Sequence, residues 1–328
     1  MAVAVCCNYS IYKHSKAAPK ERLFFNPKTQ KKMYYNQNTL VYLDGDFVPA
    51  SQANAGLFGQ TLHYGVGVFE GIRSYDTPDG TRVFRAADHY DRLKYSAEKA
   101  GLPYHWDSKE LTDATYKLLE KNNLKNAYIR PLVYADPMMS LAFPINSHLF
   151  IAAWEWALYQ TKALRLTVSP YRRPDPRSCV FDAKVSGYYV NSILASSEAK
   201  SRGFDDALLL DVNGFVAEGP GANFFFEKNE KLYTSPKGNI LPGITRDTVF
   251  QIAAELGLEV VEKHFTPEEL KNADAAFFCG TAAEVTPVAS VDDVVFKANW
   301  DNTASALVKQ KYTRRVAFNE YANFTMVI

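Results

Sequence analysis

Lys184 lies in Phe181-Asp-Ala-Lys-Val-Ser-Gly-Tyr-Tyr-Val190, among small and apolar residues and directly before a helical pattern. A lysine withdrawn from water loses its proton more readily, and the free amine is a nucleophile that forms Schiff bases with carbonyls. A lysine whose stem covers a half-buried strand while its head stays solvated is the plainer reading. Glu218 sits in Val216-Ala-Glu-Gly-Pro-Gly-Ala-Asn-Phe224, an acid in a Gly/Pro-rich turn between strands. Exposed, it needs no explanation; buried, it needs a cationic partner such as a protonated ring nitrogen.

Two further runs bring glycine to places where backbone could meet a ligand. In Leu241-Pro-Gly-Ile-Thr-Arg-Asp247 a glycine and a threonine open a predicted helix. The unpaired amides of a helix start suit a phosphate, and Thr245 would equally serve as an ordinary capping hydroxyl. Cys279-Gly-Thr-Ala-Ala-Glu284 follows the strand-like 275–278 and admits close backbone approach, or simply a turn. Other chemistries lack their residues. His14, His63, His89, His105, His148 and His264 are scattered with no metal-ligand spacing. There is no Gly-x-Ser-x-Gly, no Gly-x-Gly-x-x-Gly and no Gly-Lys-Ser/Thr loop.

These residues need a scaffold, and periodicity supplies one. Residues 39–48 alternate around Asp44-Gly45, the pattern of a hairpin. Helical spacing over 88–100, with Asp88 placed to cap, and over 108–121 predicts two helices. Residues 127–135 and 149–156 read as strands, and a change of texture puts a domain boundary near residue 158. Beyond it come strands over 164–169, 207–211 and 223–226 and a turn at Asn213-Gly214. Helices are expected over 190–202, 245–256 and, amphipathic, 303–321.

The 328 residues, 47% of them hydrophobic, suffice for one or two cores. The 37 basic against 36 acidic residues disfavour a polyanion-binding role, so neither nucleic acid nor a membrane is an expected partner. No apolar run reaches spanning length. Cys6, Cys7, Cys179 and Cys279 form no disulfide scaffold or Cys-x-x-Cys, which points to a reduced, cytoplasmic compartment. Residues 1–36, basic and without periodicity, read as an irregular or disordered extension.

Strings in a fixed order carry a resemblance. They are Leu62-His-Tyr-Gly-Val-Gly-Val-Phe-Glu-Gly-Ile-Arg-Ser-Tyr75, Tyr90-Asp-Arg-Leu93, Ala127-Tyr-Ile-Arg-Pro-Leu132, Asp182-Ala-Lys184, Asp211-Val-Asn-Gly214, Glu218-Gly219, Asn223-Phe-Phe225, Leu232-Tyr-Thr234, Leu241-Pro-Gly-Ile-Thr-Arg-Asp247 and Gly280-Thr-Ala-Ala-Glu-Val-Thr-Pro287. Over residues 40–291 the chain resembles the class IV, fold-type IV pyridoxal-phosphate aminotransferases, and most of all the branched-chain amino acid aminotransferases. The resemblance implies an α/β (α+β) fold: a small α/β domain over 37–157, a large one with a pseudo-barrel over 158–328, and the cofactor at their interface.

It also implies roles. Lys184 matches the lysine that holds pyridoxal 5′-phosphate and moves the proton at the substrate α-carbon, and Glu218 the acid that keeps the pyridine nitrogen protonated. Arg92, Gly280, Thr281 and the amides of Ile244 and Thr245 match the phosphate cradle, and Tyr189 the phenol near the ring oxygen. Arg130, with Tyr64 and Tyr159, matches the group that reaches the distal carboxylate of glutamate. Phe69, Tyr64, Trp156 and Tyr189 match an apolar wall, and Tyr128 with the amides of Thr281 and Ala282 the holder of the α-carboxylate. The implied reaction is ping-pong transamination of L-leucine, L-isoleucine or L-valine with 2-oxoglutarate, in branched-chain amino acid biosynthesis, by a homodimer or higher homo-oligomer.

Departures fall at Pro220, in Val185-Ser-Gly-Tyr-Tyr189 and in Trp154-Glu-Trp-Ala-Leu-Tyr159. The first predicts an altered turn with Glu218 kept in place; the others border the substrate pocket. Rival activities on the same fold are D-amino acid or (R)-amine transamination and aminodeoxychorismate lysis. The Arg-x-His pair of the D-specific enzymes is replaced by Asn146-Ser-His148. A cofactor-free binding protein is the non-enzyme alternative.

Overall fold

Alternation over 39–48 builds the hairpin it predicts: β1 (Leu40–Leu43) and β2 (Asp46–Pro49) pair Leu43 with Asp46. Asp44 at φ 48° and Gly45 at φ 110° make the two-residue turn whose left-handed backbone matches strand twist. The computed structural model of the chain describes residues 34–156 and 162–318. The chain divides into two units, Met1–Tyr34 and Tyr35–Ile328, and the helices and strands of the described residues all belong to the second.

After β2 come α1 (Gln60–Tyr64), β3 (Gly67–Phe69), β4 (Ile72–Thr77), β5 (Gly80–Val83), α2 (Ala86–Lys99), α3 (Ser108–Lys121), β6 (Ala127–Ala135) and β7 (Ser147–Glu155). The strands form one seven-stranded sheet in the order β2-β1-β7-β6-β4-β5, with β3 also on β6. One face carries Ile72, Ile129 and Ile151 into a core with Leu93, Leu111 and Leu118 of α2 and α3. Each such side chain stabilises by about 1.5–3 kcal/mol. The opposite face, one residue out of step, presents Gly71, Arg73, Tyr128 and Arg130.

Then follow β8 (Leu164–Arg172), α4 (Tyr189–Ser201), β9 (Asp206–Leu210), β10 (Val216–Glu218), β11 (Asn223–Lys228), β12 (Lys231–Thr234), α5 (Ile244–Glu255), β13 (Val260–Glu262), β14 (Ala275–Gly280), β15 (Glu284–Val291), β16 (Val294–Val295) and α6 (Ala304–Phe318), whose strands form a second, nine-stranded sheet. β10 pairs with both β9 and β11, so β10, β9, β8, β15, β14 and β11 close into a ring. Alternation divides its side chains. Leu208, Leu210, Phe224, Phe226 and Phe278 share one core, while Leu209 faces α4 and Phe225 and Phe277 pack beneath α5 and α6.

The predicted elements form with ends shifted by a few residues, and two caps differ. Helix α2 starts at Ala86 after Arg85 at φ 51°, so Asp88 falls in the first turn and takes the Arg85 guanidinium instead of capping. Helix α5 starts at Ile244 behind Gly243, which places Thr245 inside the helix and leaves no side-chain cap. The expected boundary near 158, and the end of the helix expected to run to 321, lie outside the described residues. Among the described residues no helix is long and apolar enough to cross a membrane.

Candidate active site

A cleft opens where the first sheet faces the barrel, lined from one side by Gly71, Arg92 and Tyr128 and from the other by Lys184, Glu218 and the turns at 243–245 and 280–282. Lys184 arrives on the segment between β8 and α4, pinned by its amide to Ser96 Oγ (2.9 Å) and by its carbonyl to the Phe69 amide (3.2 Å). Next to it, Gly187 packs against Gly65: a Cβ on Gly65 would stand 2.7 Å from the Gly187 Cα. The departure after Lys184 therefore keeps glycine where two backbones touch. Lys184 is half-buried, and its Nζ donates to the Tyr189 hydroxyl at 2.7 Å, 4.9 Å from the Phe69 ring.

Glu218 is 3% exposed, so the reading of an exposed turn acid is set aside. Arg173 supplies the cation, donating through Nε at 2.9 Å and also through Nη2 to Oε1. Asn223 Nδ2 (3.1 Å) and the Leu241 amide (3.3 Å) complete the set. Pro220 is absorbed by a turn closed through Gly219 N–H to Ala222 O (2.8 Å), with Glu218 opposite Asn223 in register. The buried carboxylate thus has its charge balanced, and it lines the cleft.

At the other end, Gly243 leads into α5, and the amides of Ile244 and Thr245 have no intrahelical acceptor. A Cβ at Gly243 would come within 2.1 Å of Asn223 Oδ1, so any other residue would force Asn223, itself hydrogen-bonded to Glu218, to shift. Arg92 enters from α2 and is gripped by Glu70, Nε to Oε1 at 2.6 Å and Nη2 to Oε2 at 2.8 Å, with Nη1 on the Pro242 carbonyl at 2.9 Å. His89 Nδ1 reaches Glu70 Oε2 at 2.7 Å. Burial alone would raise the Glu70 carboxyl, but Arg92 and His89 outweigh it and hold it well below the usual carboxylate range. Burial also keeps His89 below its ordinary value despite that carboxylate, so Nδ1 of a neutral ring donates. Gly280 and Thr281 border the same end. Burial pushes the Cys279 thiol well up, which removes a competing nucleophile.

Arg130, Phe69 and Trp156 adjoin Tyr128 and Tyr189 of the cleft lining. The Arg130 guanidinium lies 4.7 Å from the Phe69 ring, and its Nη2 donates to the Tyr128 hydroxyl at 3.3 Å. Its Nε is buried without an acceptor. Phe69 meets Tyr189 edge-on at 4.7 Å, and Trp156 packs on Tyr128 at 5.2 Å. Ala282 lines the cleft beside Thr281. Tyr64 is not brought there: it stands 45% exposed at the end of α1. Tyr159 lies outside the described residues. Sequence reasoning assigned no role to Arg173, Glu70 or His89. Glu70 could have been noticed as an acid inside an otherwise apolar string, whereas nothing distinguished Arg173 from its neighbour Arg172. Among the described residues no cluster could hold a metal ion.

Comparison with known proteins shows which family the chain resembles. The amino-transferase class IV family model matches residues 67–291. A branched-chain-amino-acid aminotransferase of Pseudomonas aeruginosa is 41% identical over 264 residues, 78% of this chain and 86% of the relative. The branched-chain aminotransferase of Thermoproteus uzoniensis, solved with norvaline, superposes with a TM-score of 0.81 at 38% identity, covering 85% of this chain and 94% of that one. The branched-chain amino acid aminotransferase of Thermobaculum terrenum, solved in its PLP form, gives 0.79 at 33% identity, covering 86% and 95%. With a family model across most of its length and relatives of this identity, the chain belongs to the class IV aminotransferases, in the branched-chain-amino-acid aminotransferase family.

Proposed function

We propose that this protein transfers the amino group of L-leucine, L-isoleucine or L-valine to 2-oxoglutarate, using pyridoxal 5′-phosphate bound at Lys184, and releases the branched 2-oxo acid and L-glutamate. The observation that carries the reading is one cleft holding an amine at its centre, a charge-balanced buried carboxylate at one end, and an arginine with two unpaired helix-start amides at the other. These residues fit the cofactor. Gly71 and Gly243 each leave room for a side chain that lines the cleft, since a Cβ there would strike Tyr128 at 2.0 Å and Asn223 at 2.1 Å.

Pyridoxal phosphate, when bound, supplies the electron sink for the charge left at the substrate α-carbon. The chain's own residues do the rest. Glu218 accepts a hydrogen bond from the ring nitrogen and favours its protonated form, with Arg173 balancing the carboxylate. Arg92 and the amides of Ile244, Thr245 and Thr281 hold the phosphate. Lys184 Nζ, steadied by Tyr189, would hold the cofactor at rest and, once the substrate amine has displaced it, would be free to carry the proton at the α-carbon.

Two side chains must be accepted in turn, one aliphatic and one anionic. The edge-on Phe69 and Tyr189 rings suit the first. Arg130, stacked between rings and with Nε unpaired, suits the second, because a carboxylate would satisfy a donor that otherwise stays orphaned. His148 is bound between Asp44 and Asp136, which supports L- over D-specificity, since it is not offered to the cleft.

Exposed Leu57, Phe58, Leu62 and Tyr64, with Leu141, Phe143 and Ile145, favour a homodimer whose partner covers them. Gln60 ties the two segments by donating to the carbonyls of Ser140 (2.6 Å) and Ala142 (2.8 Å). Tyr64 would then serve the neighbouring cleft. Cys179 and Cys279 as free thiols accord with a cytoplasmic setting.

The test mixes cofactor-loaded enzyme separately with L-leucine, L-glutamate, D-alanine and (R)-1-phenylethylamine in single turnover. Loss of the visible cofactor band with both L-leucine and L-glutamate is expected. A response to D-alanine or the amine alone would overturn the substrate, and absence of any band after reconstitution would overturn the enzyme.

A further inference from the structure

Between Glu218 and the opening of α5 run two residues, Leu241 and Pro242, whose polar backbone groups are all held by side chains of the cleft. The Leu241 amide donates to Glu218, 3.3 Å from both Oε1 and Oε2. Its carbonyl accepts from Asn223 Nδ2 at 3.0 Å. The Pro242 carbonyl accepts from Arg92 Nη1 at 2.9 Å, and Gly243 then leads into α5. Proline has no N–H, so nothing on this bridge is left over. The bridge is also stiff, because the proline ring holds its own φ at about −65° and keeps Leu241 extended. Asn223 reaches along its whole length. It is 4% exposed, and the Nδ2 that serves Leu241 also donates to Glu218 Oε2 at 3.1 Å. Its Oδ1 lies against Gly243, where an added Cβ would meet it at 2.1 Å. A carboxylate and a carbonyl can only accept, so both places demand an N–H, and the side-chain amide has two.

Resting on the function proposed above, we infer that Asn223 is a positioning residue that sets the spacing of the cofactor site. It orients Glu218 for the ring nitrogen and, through Leu241 and Pro242, fixes where the start of α5 stands for the phosphate. Asn223 acts through these two partners and not on the reacting atoms. Its place follows from the strand order: β11 begins at Asn223, paired with Glu218 of β10 on one side and Cys279 of β14 on the other. The three residues from Leu241 to Gly243 span at most about 10 Å, so the acid and the helix start cannot drift apart while the bridge is held. A ligand carrying its ring nitrogen and its phosphate on one rigid frame then meets both anchors already matched, and does not have to order them on binding.

The experiment titrates the full-length protein, stripped of cofactor, with pyridoxal phosphate and separately with pyridoxal, following the visible band. The half-reaction with L-leucine is then timed at saturating pyridoxal phosphate, so that weakened binding does not enter the rate. Asn223→Leu removes both donors at similar volume, and Asn223→Asp keeps the shape but offers acceptors in their place. Each should cut the preference for pyridoxal phosphate over pyridoxal about tenfold, the size of one net hydrogen bond, and slow the half-reaction about tenfold. Pro242→Gly keeps the carbonyl for Arg92 but frees the backbone. It should cut the same preference about tenfold and leave the half-reaction at its wild-type rate. An unchanged preference, or an unchanged half-reaction, in the Asn223 variants would mean that the residue serves one end only or merely packs, and would overturn the inference with the proposed function standing. If both Asn223 variants fail to fold, Pro242→Gly decides alone, and an unchanged preference there overturns the inference. A wild type that develops no band with pyridoxal phosphate would overturn the function as well.

Discussion

Arg173 is the cation that permits Glu218 to be buried, and Arg173→Met isolates that role. The substitution keeps much of the side-chain volume but removes the Nε bond at 2.9 Å and the Nη2 bond to Oε1. Glu218 then retains Asn223 Nδ2 at 3.1 Å and the Leu241 amide at 3.3 Å, neither of them charged. Leaving one member of a buried pair unpartnered costs about 3–5 kcal/mol, more than the pair itself contributes, because the remaining charge is desolvated without compensation. The measurement is equilibrium urea denaturation of the cofactor-free protein, so that ligand linkage does not add to stability. Arg173→Met should lose about 3–5 kcal/mol. Arg173→Met/Glu218→Gln should recover a large part of it, since the uncompensated charge is gone. A loss below about 1 kcal/mol, the range of an exposed pair, would refute the argument. So would a double variant no more stable than the single, because the cost would then be packing.

Lys184→Ala should abolish steady turnover while the folded protein survives, and persisting wild-type rates would remove Lys184 from its role. Arg130→Met should impair the half-reaction with L-glutamate more than that with L-leucine, by about tenfold or more for a charge-assisted bond; equal losses would count against one arginine serving the anionic substrate. Gly243→Ala forces a Cβ to within 2.1 Å of Asn223 Oδ1, and should cost about 1–3 kcal/mol in thermal or urea denaturation, with weaker cofactor retention; an unaffected midpoint would show that Asn223 moves freely. For His148, burial lowers the pKa, but hydrogen bonds to Asp136 and Asp44 prevail and the net value is raised. Its stabilisation is therefore fully present below about pH 6.5 and fades as pH rises through the higher folded value. The stability gap between wild type and His148→Gln should narrow across that window, and a gap that widens with pH would contradict the sign.

Much of the scaffold was legible because it rests on local rules. Asp44-Gly45 between alternating strands closes the β1–β2 hairpin, and the helical spacing of 108–121 returns as α3 with Asp107 capping it. Where local reading slipped, the helix opened before the residue expected to cap it. Asp88 looked like a cap but is claimed by Arg85, which itself reaches Asp247 at 2.7 Å on α5. Thr245 looked like a capping hydroxyl but lies inside the helix, which opens at Ile244 behind Gly243.

The candidate site divides the same way. By itself the sequence singled out the residues proposed to carry chemistry, since Lys184, Glu218 and the two glycine-opened turns stand out by type and neighbours and by the order of the strings that hold them. Only the tertiary structure decided what holds them: Arg173 for Glu218, Glu70 with His89 for Arg92, and Arg73 with Tyr75 for Glu284. Tyr75 and Glu284 alone lie 209 positions apart along the chain. A charge can be buried only beside its counter-charge, and which counter-charge that is depends on how strands and helices stack, a fact that no local pattern records.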